Sequence, residues 1–474
     1  MSTRTIPKQT LDAQILASDP TLSAWVSANA GSGKTHVLTQ RVVRLLLHDV
    51  PPARILCLTF TKAAAANMSI RVFDKLAKWT RISDDELSRD IIAMGEKKPS
   101  ADDLTFARRL FARTVETPGG LKIQTIHAFC EKLLHLFPFE ANVAARFEVI
   151  EEERAKDLLE QARQQTLEKA LHDATSPLGQ ALQKLAQETS GSTFDELIKA
   201  ALGKQDMILL AQELDDDQGA SLFGQWLAQA LGLDGEISPA ILDQEILEKG
   251  IPASEWEAIA QTLSASGGND NDKDLAAGLR KALAHQDTTE RALTYANLFL
   301  TKEGKPKGLA NVKLISAALK KIYPDLLTRL EAERDRIIPL LEKRKIAHTV
   351  ARTKILLSVV HAIIATYRRE KEARGLLDFG DLIVATRKLL KRTEASWVLE
   401  KLDRGIDHIL VDEAQDTSPE QWDILETIAE EFTAGRGQRE ITRTFFAVGD
   451  EKQSIFSFQG CLLYTSDAAD DTPC

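Results

Sequence analysis

Ala28-Asn29-Ala30-Gly31-Ser32-Gly33-Lys34-Thr35 lies directly after a short apolar run, Ala24-Trp25-Val26, and before a helical pattern from Val37 to Leu47. The order is strand, Gly-rich turn, helix. Gly31 and Gly33 let the backbone bend sharply enough for successive N–H groups to face one anion. A helix starting near Lys34 adds its positive end at the same spot. In a loop of this kind Lys34 reaches the β- and γ-phosphates of a nucleotide, and the Thr35 hydroxyl holds Mg²⁺. Ala28 stands where the usual pattern opens with Gly. The same residues would also serve as a plain turn, so the rest of the chain has to decide.

Working outward, the strand–helix order repeats. Trp25-Val26-Ser27, Ile55-Leu56-Cys57-Leu58-Thr59-Phe60, Lys122-Ile123-Gln124-Thr125-Ile126 and Phe147-Glu148-Val149-Ile150 read as strands separated by helical patterns. Such alternation predicts a parallel sheet with helical crossovers. From about residue 151 to 370 the pattern changes. Apolar residues fall at helical spacing, as in Leu158-Leu159, Ala162 and Leu167, and in Ile355-Leu356-Leu357, Val360 and Ile363-Ile364. Ser264-Ala265-Ser266-Gly267-Gly268-Asn269-Asp270-Asn271-Asp272 reads as a surface loop in this stretch. Short apolar runs return as Asp407-His408-Ile409-Leu410-Val411 and Thr444-Phe445-Phe446-Ala447-Val448, each leading into acidic residues. A parallel sheet interrupted by a helical insertion accounts for this order.

Composition sets outer bounds. A chain of 474 residues exceeds one compact domain. Its 43% hydrophobic and 27% charged residues are ordinary for a soluble globular protein. No apolar run approaches the roughly 18 residues needed to span a bilayer, and Met1 to Pro7 has no apolar signal core. No membrane association and a cytoplasmic location are therefore expected. Cys57, Cys130, Cys461 and Cys474 form no C-x-x-C pair, and the first two read as small buried hydrophobes. The net charge of −10 argues weakly against a nucleic-acid partner, but a basic groove on an acidic protein is enough to meet phosphates.

Four further stretches carry chemistry. Asp412-Glu413-Ala414-Gln415-Asp416 follows the Ile409-Leu410-Val411 strand. Carboxylates at the carboxyl end of a buried strand are where a nucleotide's metal sits in open α/β sheets. Asp412 would hold the metal, and Glu413 would act as general base on the attacking water. Gly449-Asp450-Glu451-Lys452-Gln453 follows the next strand, and Gln453 would approach the γ-phosphate. Thr59-Phe60-Thr61-Lys62 and Thr125-Ile126-His127 each end a strand and open a helix, a setting that suits DNA phosphates. Phe60 and Phe458 offer stacking faces to bases, and His127 either a phosphate contact or a stacking face. Each of these aromatic residues would equally serve as core.

Together with Gln14 and Leu377-Asp378-Phe379-Gly380-Asp381-Leu382, these motifs occur in the order seen in UvrD/Rep-type superfamily 1A DNA helicases. Trp25 to Thr35, Ile55 to Met68 and Ile123 to Cys130 most resemble the AddA subunits of AddAB (RecBCD-like) helicase–nucleases. The family usually reads T-F-H where this chain has Thr125-Ile126-His127, and Trp-Arg where it has Phe458-Gln459. The resemblance implies an α/β fold: a RecA-like P-loop NTPase domain, its parallel sheet flanked by helices, with a large all-helical, 1B-like insertion. It implies that Gln14 reads the adenine edge, and that Ala28, Asn29, Ala30, Gly31, Ser32, Gly33, Lys34 and Thr35 hold ATP. Thr35 and Asp412 would hold Mg²⁺, and Lys34, Glu413 and Gln453 would serve hydrolysis. Thr59, Phe60, Thr61, Thr125, His127 and Phe458 would line the single-strand track. Asp378 belongs to a family motif without an assigned role. ATP-driven 3′-to-5′ movement, single- and double-stranded DNA ends as partners, a role in double-strand break repair and an AddB-like partner protein follow from the same resemblance.

The expected division is 1–150 and 371–460 as the two parts of the sheet domain, 151–370 as the insertion, and 461–474 as a non-native tail. The family's motor needs a second RecA-like domain that supplies an arginine to the γ-phosphate, and no motif of that domain follows Gly460. Instead Cys461 to Asp470 reads as a translated transposon-end adaptor, TGT CTC TTA TAC ACA TCT GAC GCT GCC GAC. The native gene is thus expected to continue beyond this point. Two alternatives stand beside the helicase: a nucleotide- and single-strand-binding half-motor that does not unwind, and a P-loop ATPase unrelated to DNA. Thr59 to Lys62 and Thr125 to Phe129 argue against the last.

Overall fold

The computed structural model describes residues 7–27, 33–188, 191–204, 222–265, 269–309, 313–392, 396–403, 405–434 and 442–450. Its strands are β1 (Ala24–Ser27), β2 (Ile55–Thr59), β3 (Lys122–Thr125), β4 (Glu148–Val149), β5 (Leu376–Leu377), β6 (His408–Val411) and β7 (Thr444–Gly449). Five of them form one sheet in the order β1-β7-β6-β2-β3, and every pairing is parallel. β2 and β6 are buried at every residue, as continuous apolar runs should be when helices cover both faces.

Side chains alternate between those faces. Ile55, Cys57, Leu410, Phe446 and Val448 pack on one side with Leu38, Val42, Val72 and Leu76. These come from α2 (Lys34–Leu47) and α3 (Lys62–Trp79), which follow α1 (Lys8–Ala17). Further helices, α4 (Asp84–Ala93) and α5 (Ala101–Glu116), add Leu87, Ile91, Ala107 and Leu110. Leu56, Leu58, Ile409, Val411 and Ala447 pack on the other face. Their partners include Phe129 and Leu133 of α6 (Ile126–Leu136), Leu382 of the helix Phe379–Lys391, and Ile424 of the helix Pro419–Ala434. Cys57 and Cys130 are buried free thiols, and burial pushes the Cys130 thiol up to about 12.

Three expectations need correction. The apolar run Phe147–Ile150 does make a strand, β4, but it leaves the main sheet and pairs with β5 alone; a two-residue strand can close a small ribbon wherever a partner is near. The Ser264–Asp272 stretch is no simple loop. Asn269 caps the helix Asp270–Ala284 in a capping box with Asp272, and Asp272 is buried and accepts a hydrogen bond from the Ser316 N–H at 2.8 Å. Asn and Asp are helix-start residues as much as loop residues. Finally, the helix Pro324–Arg374, 51 residues long, is the one helix among those described that is long and apolar enough to cross a membrane. Arg352 and Lys354 interrupt its apolar run in the sequence, which hides the average. Its Val359 and Ile363 are spent on a core with Leu185 and Ile198.

The chain divides into two units, residues 1–156 with 371–474, and residues 157–370. The first holds the sheet. The second is built of helices around stacked rings: Trp256 lies on Tyr295 with centroids 4.1 Å apart. The Tyr295 hydroxyl donates to buried Glu333 at 2.9 Å, and Arg336 neutralises that carboxylate at 2.6 Å.

Candidate active site at the carboxyl edge of the sheet

Because the five strands are parallel, their carboxyl ends share one edge. Ser27 pairs with Gly449, Val411 with Ala447, Leu58 with Val411 and Thr59 with Thr125. Motifs separated by hundreds of residues are thereby collected along that edge.

β1 leads to the Gly-rich stretch, of which Ala28, Asn29, Ala30, Gly31 and Ser32 lie outside the described residues. Gly33 caps α2 at φ +91°, a left-handed conformation that glycine adopts without steric cost. A Cβ at Gly33 would lie 3.0 Å from Gln14 Nε2, so α1 brings Gln14 onto this turn. Thr35 lies in the first turn of α2, and its carbonyl accepts the Thr39 hydroxyl at 2.7 Å. Lys34 is nine-tenths buried, 3.7 Å from Glu413 Oε2. Its Nζ has no hydrogen-bond partner among the described residues.

β6 ends in Asp412, whose N–H donates to the Leu58 carbonyl of β2 at 2.9 Å. The Asp412 carboxyl is buried. Burial first, and the neighbouring Glu413 charge second, push it up to about 6. Glu413 sits at φ +51°, a strained backbone for a residue with a Cβ. The turn aims its carboxylate toward Lys34 on one side and Gln415 Nε2, at 2.7 Å, on the other. Gln453 lies outside the described residues.

These residues fit a magnesium–nucleotide pair on structural grounds. An ammonium buried without a hydrogen-bond partner suits a phosphate oxygen. A buried carboxyl destabilised in its charged form suits a divalent cation, whose charge would relieve that cost. Gln14, Lys34 and Thr35 would hold the nucleotide, and Thr35 and Asp412 the metal.

The other strand ends carry hydroxyls at helix starts. The Thr59 hydroxyl donates to the Thr61 carbonyl at 3.1 Å. Thr61 caps α3, accepting the Ala64 N–H at 3.0 Å, and Thr125 caps α6, accepting the Ala128 N–H at 3.2 Å. Phe60 is half-buried between β2 and α3. His127 packs on Phe379, ring centroids 5.1 Å apart. Burial holds its imidazole below the usual histidine range, so near neutral pH it offers a ring face rather than a cation. Phe458 lies outside the described residues. Asp378 caps the helix Phe379–Lys391 in a capping box with Asp381. Buried Lys371 donates to both carboxylates, at 2.6 and 2.5 Å. That cap sets Phe379 at the helix start, where it meets His127.

Sequence reading assigned no role to Gln415, Arg41, Arg44 or Lys371. Arg41 and Arg44 lie on the buried face of α2 and hold the end of α1. Arg44 donates to the Ile15 carbonyl at 2.8 Å, and Arg41 to the Ala17 carbonyl at 3.0 Å. Two arginines in the apolar run Val42-Val43-Arg44-Leu45-Leu46 and its approach were a usable signal, since an arginine is buried only with partners.

Comparison with known proteins agrees with this geometry. Residues 10–472 match the UvrD/REP helicase N-terminal domain, a span that runs into the 461–474 stretch. Curated relatives named as ATP-dependent helicase/nuclease subunits, of the AddA type, include that of Ligilactobacillus salivarius, 27% identical over 94% of this chain and 35% of the relative. Those of Exiguobacterium sibiricum and Staphylococcus carnosus are each 26% identical over 92% of this chain and 34% of the relative. The chain thus spans about a third of the length of these relatives. A parallel sheet flanked by helices and a matched span that covers nearly the whole chain make it a member of the UvrD/REP helicase N-terminal domain family.

Proposed function

We propose that this chain is the ATP-binding part of an AddA-like, cytoplasmic DNA helicase–nuclease subunit. It moves 3′ to 5′ on one strand, starts from DNA ends and works with an AddB-like partner in double-strand break repair. In this reading residues 1–150 and 371–460 form one RecA-like domain and 151–370 an inserted domain, with 461–474 foreign to it. The observation that carries the reading is the meeting of Lys34, Asp412, Glu413 and Gln415 at one sheet edge.

Bound Mg²⁺ would supply charge neutralisation for the transferred phosphoryl group. The chain's residues do the rest. Gln14 orients the base, Lys34 takes a phosphate oxygen, and Glu413 accepts a proton from the attacking water. Thr59, Phe60, Thr61, Thr125 and His127, with Phe379 beside them, offer hydroxyls and ring faces to a single strand. A fragment of residues 1–460 is expected to bind Mg-ATP weakly and hydrolyse it slowly, since catalysis in this reading also needs an arginine from a second domain.

The test is ATP turnover by the full chain with and without a single-stranded oligonucleotide at low salt. Binding of the strand and a turnover, however slow, that Glu413→Gln removes are expected. No strand binding and no effect of Glu413→Gln would sink the DNA-motor reading.

A further inference from the structure

Gln415 links the acidic strand end to the end of β7. Its Nε2 donates to Glu413 Oε2 at 2.7 Å. Its Oε1 accepts the Asp450 N–H at 2.9 Å. The amide orientation is forced: a carboxylate only accepts and a backbone N–H only donates. Gln415 is buried, while the Glu413 side chain remains 38% exposed. One end of the bridge is therefore fixed in the fold and the other holds a residue that would otherwise swing. Lys34, the other group beside the Glu413 carboxylate, stands at 3.7 Å, too long for a hydrogen bond.

The end of β7 is shaped around this bridge. A Cβ at Gly449 would lie 2.9 Å from Gln415 Oε1 and 3.4 Å from the Gln415 backbone nitrogen. Only glycine lets β7 approach so closely. β6 and β7 are already paired in the sheet, so the bridge is not needed to join them. What it adds is a fixed direction for Glu413, across a turn strained at φ +51°.

We propose that Gln415 is a positioning residue for hydrolysis, holding the Glu413 carboxylate in line with the attacking water and tying it to the end of β7, with Gly449 as the space that permits it. This rests on the reading of Glu413 as general base. In the folded protein a positioning residue lowers kcat and leaves KM for ATP in place, a split that a purely structural residue would not produce.

The experiment measures ATP turnover by the full chain at varied ATP for Gln415→Ala, Gly449→Ala, the double variant and Glu413→Gln. For Gln415→Ala, kcat should fall about 10- to 100-fold, the worth of a hydrogen bond to a charged group, with KM for ATP little changed. Gly449→Ala should lower kcat in the same way, and should add nothing in the Gln415→Ala background. If Glu413→Gln abolishes turnover while Gln415→Ala leaves kcat in place, the positioning role is overturned and the base survives. If Glu413→Gln turns over normally, the base reading falls and takes this proposal with it.

Discussion

The two edges of the five-stranded sheet are built from the same residue types and behave in opposite ways. At the amino edge Arg41 donates to the Ala17, Asp19 and Leu22 carbonyls and to Thr444 Oγ1. The Thr444 hydroxyl meets His408 Nδ1 at 2.7 Å. It accepts from Arg41, and burial pushes the neighbouring imidazole down to about 4. Arg54 pairs with Asp407 at 2.9 Å. Arg41 Nε and Asp407 Oδ1 are the buried polar atoms left unmatched there, among the described residues. At the carboxyl edge Lys34 Nζ is unmatched, Asp412 is costly to ionise, and Glu413 is strained. One edge uses buried polar groups to hold the fold. The other keeps them poorly compensated, as a site for an anionic ligand and a cation requires.

Substitutions on the two edges should therefore separate stability from turnover. The largest effect is expected from Glu413→Gln: a fall of about 10³-fold in ATP turnover, the range for a lost general base, with an unchanged urea midpoint. Arg41→Met should do the reverse to stability, lowering it by about 3 to 4 kcal/mol in urea denaturation, because buried carbonyls lose a charged donor. An Arg41→Met chain as stable as the parent would erase the contrast between the edges.

The pH dependence sharpens the comparison along a single strand. Asp412 is raised from 3.8 to about 6, so the folded state binds more protons than the unfolded chain between these values. Stability from this group is lost as pH rises through that window, by about 3 kcal/mol in all. Asp412→Asn should thus be more stable than the parent above pH ~6 and equal to it below pH ~4, in nucleotide-free denaturation read at each pH. His408 is lowered from 6.5 to about 4, so it removes stability as pH falls through its window. In the parent the two oppose each other between pH ~4 and ~6, whereas Asp412→Asn should lose stability steadily on acidification. The smallest change in stability is expected at the strained turn. Glu413→Gly should raise stability by about 1 kcal/mol by releasing the left-handed backbone, while turnover disappears. A loss of stability instead would mean that the Gln415 and Lys34 contacts outweigh the strain.

Much of this was legible without coordinates, for local reasons. Ile55–Thr59 and Ile409–Val411 read as buried strands because their apolar runs are continuous, and Gly33-Lys34-Thr35 reads as a turn into a helix because glycine and helix-start chemistry act within a few residues. Strand alternation likewise announced a parallel sheet, and so one edge for all the motifs. Sequence by itself therefore determined the class of fold, its family and the residues to examine. What it left open is whatever depends on residues far apart in the chain. Nothing in Phe147–Ile150 says that β4 leaves the sheet for β5, and nothing in Thr444–Gly449 says that β7 lies between β1 and β6. Nothing in the segment around Arg41 says that Thr444, 403 residues away, is one of its partners. Gln415 and Asp450 become one bridge only when β6 and β7 pair. Tertiary structure decided these points because a buried polar group is stable only where its partners converge, and that convergence is a property of the packed sheet rather than of any segment in it.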